Sequence, residues 1–102
     1  MATLYIAEYS GIAVPGPEPH GFQAPQEPSL DQTLAISGAP AASTVFAATT
    51  RMVRLHTDAT CSVVFGLNPV AATGNKRLAA NQTEYFGVPA GAGWKVSVVT
   101  NA

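Results

Sequence analysis

The sequence predicts an all-β fold: an antiparallel two-sheet β-sandwich, jelly-roll-like, with a Pro/Gly-rich N-terminal arm. Three observations predict it. After residue 30 the chain breaks into short runs rich in β-branched and aromatic side chains, spaced by turn residues. No run repeats large apolar residues at the helical period. Prolines and glycines crowd into residues 10–30, where they bar both helix and central strand.

The elements follow in order. Residues 3–9, with Leu4, Tyr5, Ile6 and Tyr9, form a strand. Residues 10–30 hold Pro15, Pro17, Pro19, Pro25 and Pro28 beside Gly11, Gly16 and Gly21, and read as an extended, partly polyproline-like arm. So long a loop in a small domain points to a role, either packing along the domain or reaching a neighbour. Residues 31–102 make the main sandwich. Strands are expected at 32–36, ended by the turn at Ser37, Gly38 and Pro40, and at 44–48. Residues 51–57 alternate well: Arg51, Val53, Leu55 and Thr57 share one face, and Met52, Arg54 and His56 the other. With 60–65 they read as the best hairpin in the chain, turning at Asp58 and Ala59. After a loop at Asn68, Pro69 and Gly74 come a short edge strand at 76–78, a strand at 83–88 and a last one at 94–100. In the last strand Val96 and Val98 face inward.

The chain has 102 residues, enough for one domain, 1–102. Charged residues make up 11% of it, less than half the usual share of about 25%, so much of the surface is poorly protected against association. The net charge of −1 sets up no field that would gather nucleic acid or an anionic membrane. The charges are unevenly placed. Glu8, Glu18, Glu27 and Asp31 stand in the first fifty residues with no Lys or Arg, and all five Lys and Arg residues stand after them, so an acidic front half is expected against a basic back half, in the same chain or a neighbour's. One cysteine, Cys61, makes no internal disulfide. The first residues lack the basic start and apolar run of a signal peptide, and no run of about eighteen apolar residues exists, so folding in the cytoplasm and no membrane contact are expected.

Residues with chemistry are few. His56, Asp58 and Cys61 lie close in sequence and are all metal-ligand types, but zinc wants three or four ligands and the other histidine, His20, is in the arm. Asp58 is expected to bond its own turn, and Cys61, on one face with Val63 and Phe65, to be buried. A Cys61–His56 dyad lacks an orienting residue. Glu8, Asp58 and Glu84 have no spacing that pairs two acids, and residues 73–77 lack the glycine pattern of a phosphate loop. Arg51, Arg54, Lys76, Arg77 and Lys95 lack the aromatic platform of a single-strand binder and read as edge charges. Asn81, Gln82 and Thr83 match a glycosylation acceptor by coincidence. Tyr85, Phe86 and Trp94 lie near turns. Phe86 and Trp94 are expected in the core, while an exposed aromatic there would suit a sugar. No catalytic set, metal or cofactor is expected.

Residues 51–69, 76–88 and 95–99, with the opening residues 1–9, resemble small structural proteins of tailed bacteriophages. The resemblance is one of overall pattern over most of the chain and carries no catalytic motif. It implies a virion component of β-sandwich form, most simply a head decoration (cement) protein. Its implied partners are the major capsid protein and copies of itself, in a homo-oligomer, with no nucleic acid or membrane. A rigid sandwich, sparse charge and a pre-extended arm suit such a clamp. The expected contact residues are Leu4, Tyr5, Ile6 and Tyr9 with Pro15, Pro17, Pro19, Pro25 and Pro28. The alternatives are a tail or head–tail accessory protein, and a carbohydrate-binding adhesin-like module with Tyr85 or Trp94 exposed beside polar groups. A cupin-like enzyme would need His56 to converge with further ligands inside a barrel.

Overall fold

Alternation along one strand sets the architecture. In β6 (Met52–Thr57) Val53, Leu55 and Thr57 are fully buried, while Met52, Arg54 and His56 are half-exposed. A strand with one apolar face must bury it against a second layer. That layer exists. A computed structural model describes residues 2–10, 12–13, 24–25 and 30–101, and their strands form two four-stranded antiparallel sheets that make a β-sandwich.

The first sheet runs in the order β4 (Leu30–Ala35), β1 (Thr3–Tyr9), β6, β9 (Thr83–Gly87). The second runs β5 (Ala41–Ala42), β10 (Lys95–Thr100), β7 (Cys61–Gly66), β8 (Lys76–Leu78). Leu4 and Ile6 of β1 and Val53 and Leu55 of β6 face Cys61, Val63, Leu78, Val96 and Val98 of the second sheet, with Ile36, Phe46 and Val88 closing the cluster. The inward placement of Val96 and Val98 is as expected, and Phe86 and Trp94 pack against the same cluster, half-buried.

From β4 onward the chain visits the sheets as first, second, first, second, second, first, second. That is the wrapping of a jelly roll. Between β4 and β6, β1 takes the place that a strand after β10 would take. In the arm, β2 (Ile12–Ala13) pairs with β3 (Ala24–Pro25), with Ile12 opposite Pro25. Pro15, Pro17, Pro19 and Pro28 lie outside the described residues.

Three expectations are corrected. Residues 51–57 and 60–65 do not form a hairpin: β6 pairs with β1 and β9, while β7 pairs with β10 and β8. The chain crosses from sheet to sheet at Thr57–Cys61 because the corner's polar groups bond elsewhere. Asp58 Oδ1 accepts from the Thr3 N–H at 2.7 Å, and the Asp58 N–H donates to the Thr3 carbonyl at 3.2 Å. The turn is closed by Thr57 instead, whose Oγ1 accepts from the Ala59 N–H and donates to the Ala59 carbonyl. Asp58 therefore fastens the corner to β1 and not to its own turn. Residues 44–48 are not a strand either. They run beside β10 with an irregular spacing, the Ser43 N–H donating to Val96 and the Phe46 N–H to Trp94, so that two residues bulge out where a ladder would place one.

Candidate functional site

The two outer faces of the sandwich differ. The central outward positions of the second sheet are covered by the chain itself. Ser62, Ser97 and Val99 are buried there beneath the loop of residues 67–75. The Ala71 N–H donates to Ser97 Oγ at 2.9 Å, and Asn101 Nδ2 donates to Ser62 Oγ at 2.8 Å and to the Thr73 carbonyl at 3.2 Å. These bonds satisfy buried hydroxyls and amides that would otherwise cost free energy.

The outer face of the first sheet carries a different set. Strand register fixes its rows. Asp31, Ala7, Arg54 and Tyr85 stand in one row across β4, β1, β6 and β9, and Thr33, Tyr5, His56 and Thr83 stand in the next. Tyr5 is 46% exposed and Tyr85 48%, although both are large aromatics. The Tyr5 ring lies 6.2 Å from His56 at 45°, and Tyr9 lies 6.4 Å from Tyr85 at 44°. His56 Nδ1 is 2.7 Å from Thr83 Oγ1, which holds the imidazole in the row. Where Ala7 stands between larger neighbours the face sinks into an open depression of about 280 Å3, lined by Tyr5, Ala7, Asp31, Thr33 and Arg54 with the Ile6 and Gln32 positions.

The structure separates most residues weighed from sequence. His56 is on the outer face, Asp58 at the exposed corner and Cys61 in the core, so the three do not converge, and no metal-ligand cluster occurs among the described residues. The Cys61 thiol donates to Thr57 Oγ1 at 3.6 Å and not to His56. Burial pushes the thiol up from its ordinary value, with the Thr57 bond opposing in part. Glu8 and Glu84 stand on strands that β6 keeps apart. Arg54 belongs to the first sheet and Arg77 and Lys95 to the second, so the basic residues form no single patch. Within one chain, the expected facing of acidic and basic halves yields no ion pair among the described residues. The pair that forms, Lys76–Glu84 at 3.2 Å, lies within the back half and bridges β8 to β9 at the sandwich edge, with the Lys76 ammonium 6.0 Å from the Phe86 ring centre.

Of the expected contact residues on β1, Tyr5 alone is presented to solvent. Leu4 and Ile6 are core residues and Tyr9 is 8% exposed, so these three are corrected from surface to interior. Their alternation decides it: Leu4, Ile6 and Glu8 point inward, and Tyr9 is flanked by Tyr85. Pro25 sits in β3, and the other four prolines fall outside the described residues. Sequence reasoning missed the Ala7 depression. The grouping of Met52, Arg54 and His56 was readable as a face, but which strands flank β6 was not. No family model, curated protein or solved structure matches this chain.

Proposed function

We propose that the chain is a non-enzymatic structural protein of a tailed-phage virion, a decoration protein seated on the capsid shell. The observation that supports the reading most is the inequality of the faces. The protein's own loop covers the centre of one outer face, and the other face leaves Tyr5, Tyr85, His56 and Arg54 in adjacent rows. Tyr and Arg are the side chains enriched where protein surfaces meet. A shell clamp needs one such face on a rigid body, and sparse charge elsewhere lowers the desolvation cost of close packing. Repetition over a symmetric shell lets a modest contact suffice.

The test is light scattering on the protein alone, then co-sedimentation with emptied tailed-phage heads. The expected result is a defined oligomer that saturates the heads at a stoichiometry set by shell symmetry, with binding weakened by Tyr5→Ala or Tyr85→Ala. Protein that remains in the supernatant, or that sediments with isolated tails instead, overturns the capsid assignment.

A further inference from the structure

We propose that the depression over Ala7 is a binding site for one neutral sugar ring. It goes beyond the capsid reading and does not need it, since a soluble sugar tests the site without any shell. The residues define the ligand class. Asp31 and Arg54 flank Ala7 on the two neighbouring strands, opposite in charge and directly in register. Both line the depression, yet among the described residues neither makes an ion pair or side-chain hydrogen bond, with each other or with a third group. The methyl side chain of Ala7 leaves the gap between them open.

Two opposite charges on either side of one floor leave no net charge to favour an anion or a cation. They do offer a strong acceptor and a planar fork of donors. Vicinal hydroxyls of a sugar are donors and acceptors at once and can engage both groups. The third wall is Tyr5, an exposed ring fixed against His56 at 6.2 Å, which suits the apolar C–H face of a pyranose. The Thr33 hydroxyl, on the strand beyond Tyr5, supplies a further donor and acceptor. The volume of about 280 Å3 falls just under the range of roughly 300–1,000 Å3 that holds drug-sized molecules, which sets the occupant at a single ring. Tyr85, beyond Arg54 in the same row, stands where a second ring of a longer glycan would extend.

The experiment is a titration of the isotope-labelled full chain, followed by amide resonances. The probes are the methyl glycosides of glucose, galactose, mannose and N-acetylglucosamine, with inorganic phosphate and glycine as charged comparisons. At least one glycoside is expected to shift the amides of Tyr5, Ala7, Asp31, Thr33 and Arg54 saturably. Asp31→Asn and Tyr5→Ala should each weaken that binding by roughly tenfold, as loss of a charge-assisted bond or a stacking wall implies. Ala7→Leu should abolish it by filling the floor. The spectrum of each variant shows whether the fold persists, and Asp31→Asn alters only an exposed side chain. Shifts by none of the glycosides, shifts elsewhere on the surface, or a response to phosphate or glycine alone would overturn the proposal.

Discussion

Glu8 is a charged residue with 1% exposure on the inward face of β1, among Leu4, Ile6 and Val53. A carboxylate is held there by donors: the Ala47 N–H at 2.9 Å and the Thr50 hydroxyl at 2.7 Å reach Oε1, and Gln32 Nε2 lies 3.5 Å from Oε2. Gln32 in turn accepts from the Thr44 N–H and hydroxyl, both at 3.2 Å. The carboxylate thus does for residues 44–50 what a ladder would do for a strand. Glu8→Ala leaves a half-buried N–H and a buried hydroxyl without acceptors, and should cost about 3 kcal/mol in urea unfolding. Cys61 makes a prediction of the other kind. Its folded thiol holds its proton more tightly than the ordinary value of 9.0, because burial disfavours the thiolate. The folded state then binds more protons than the unfolded state above that pH. The stability this represents is complete below the ordinary thiol pKa and is lost as pH rises toward the folded one. The stability of the parent protein should therefore fall more steeply above pH 9.0 than that of Cys61→Ala, in urea midpoints measured across the alkaline range. Equal slopes would show that the thiol is solvated in the folded state.

Strand existence was legible because period-two alternation is a local property. The strand expected at 3–9 is Thr3–Tyr9, and that expected at 76–78 is Lys76–Leu78. Strand partnership was not legible. Alternation in 51–57 and 60–65 fits a hairpin and a sheet-to-sheet crossing equally well, since both bury Val53, Leu55, Cys61 and Val63. The deciding bonds join Asp58 to Thr3, fifty-five residues away, and no local pattern reports them. The candidate site shares this limit. Tyr5, Arg54 and Asp31 were visible as residues, but their meeting over Ala7 depends on β1 lying between β4 and β6. Asp58→Ala should loosen the corner more than the core. The expected outcome is about 1 kcal/mol of lost stability, with faster hydrogen exchange at Thr3 and Thr57. The turn into β9 follows its own rule. Asn81 has φ of 64° and donates its N–H to the Thr57 carbonyl at 2.8 Å, so its identity is accounted for by the left-handed turn. Asn81→Gly should be nearly neutral, and Asn81→Val should cost about 1–2 kcal/mol by thermal melting.

At the scale of the whole molecule the sandwich manages its edges unequally. β8 carries Lys76 and Arg77, β9 carries the half-buried Glu84 paired to Lys76, and β5 is only two residues long. Charge and shortness of this kind discourage pairing with other chains. The remaining edge, β4, is joined to β1 by residues 10–29, the stretch in which Pro15, Pro17, Pro19, Pro25 and Pro28 cluster. Glu8 and Leu30 are already paired across that junction, so the ends of β1 and β4 need no long connection to meet. Replacing residues 10–29 by Asn-Gly leaves a short loop of the kind that closes hairpins. Shortening the loop so far lowers its closure cost by about 2 kcal/mol. Among the described residues, the core cluster is built from positions outside the replaced stretch. The variant should therefore unfold in one cooperative transition, with a urea midpoint no lower than the parent's. If the segment acts as the arm of a shell clamp, the same variant should lose most of its co-sedimentation with phage heads. Loss of cooperative unfolding would instead make residues 10–29 part of the folding unit. Stable folding with undiminished head binding would leave the face that carries Tyr5 and Tyr85 as the contact and remove the arm from it.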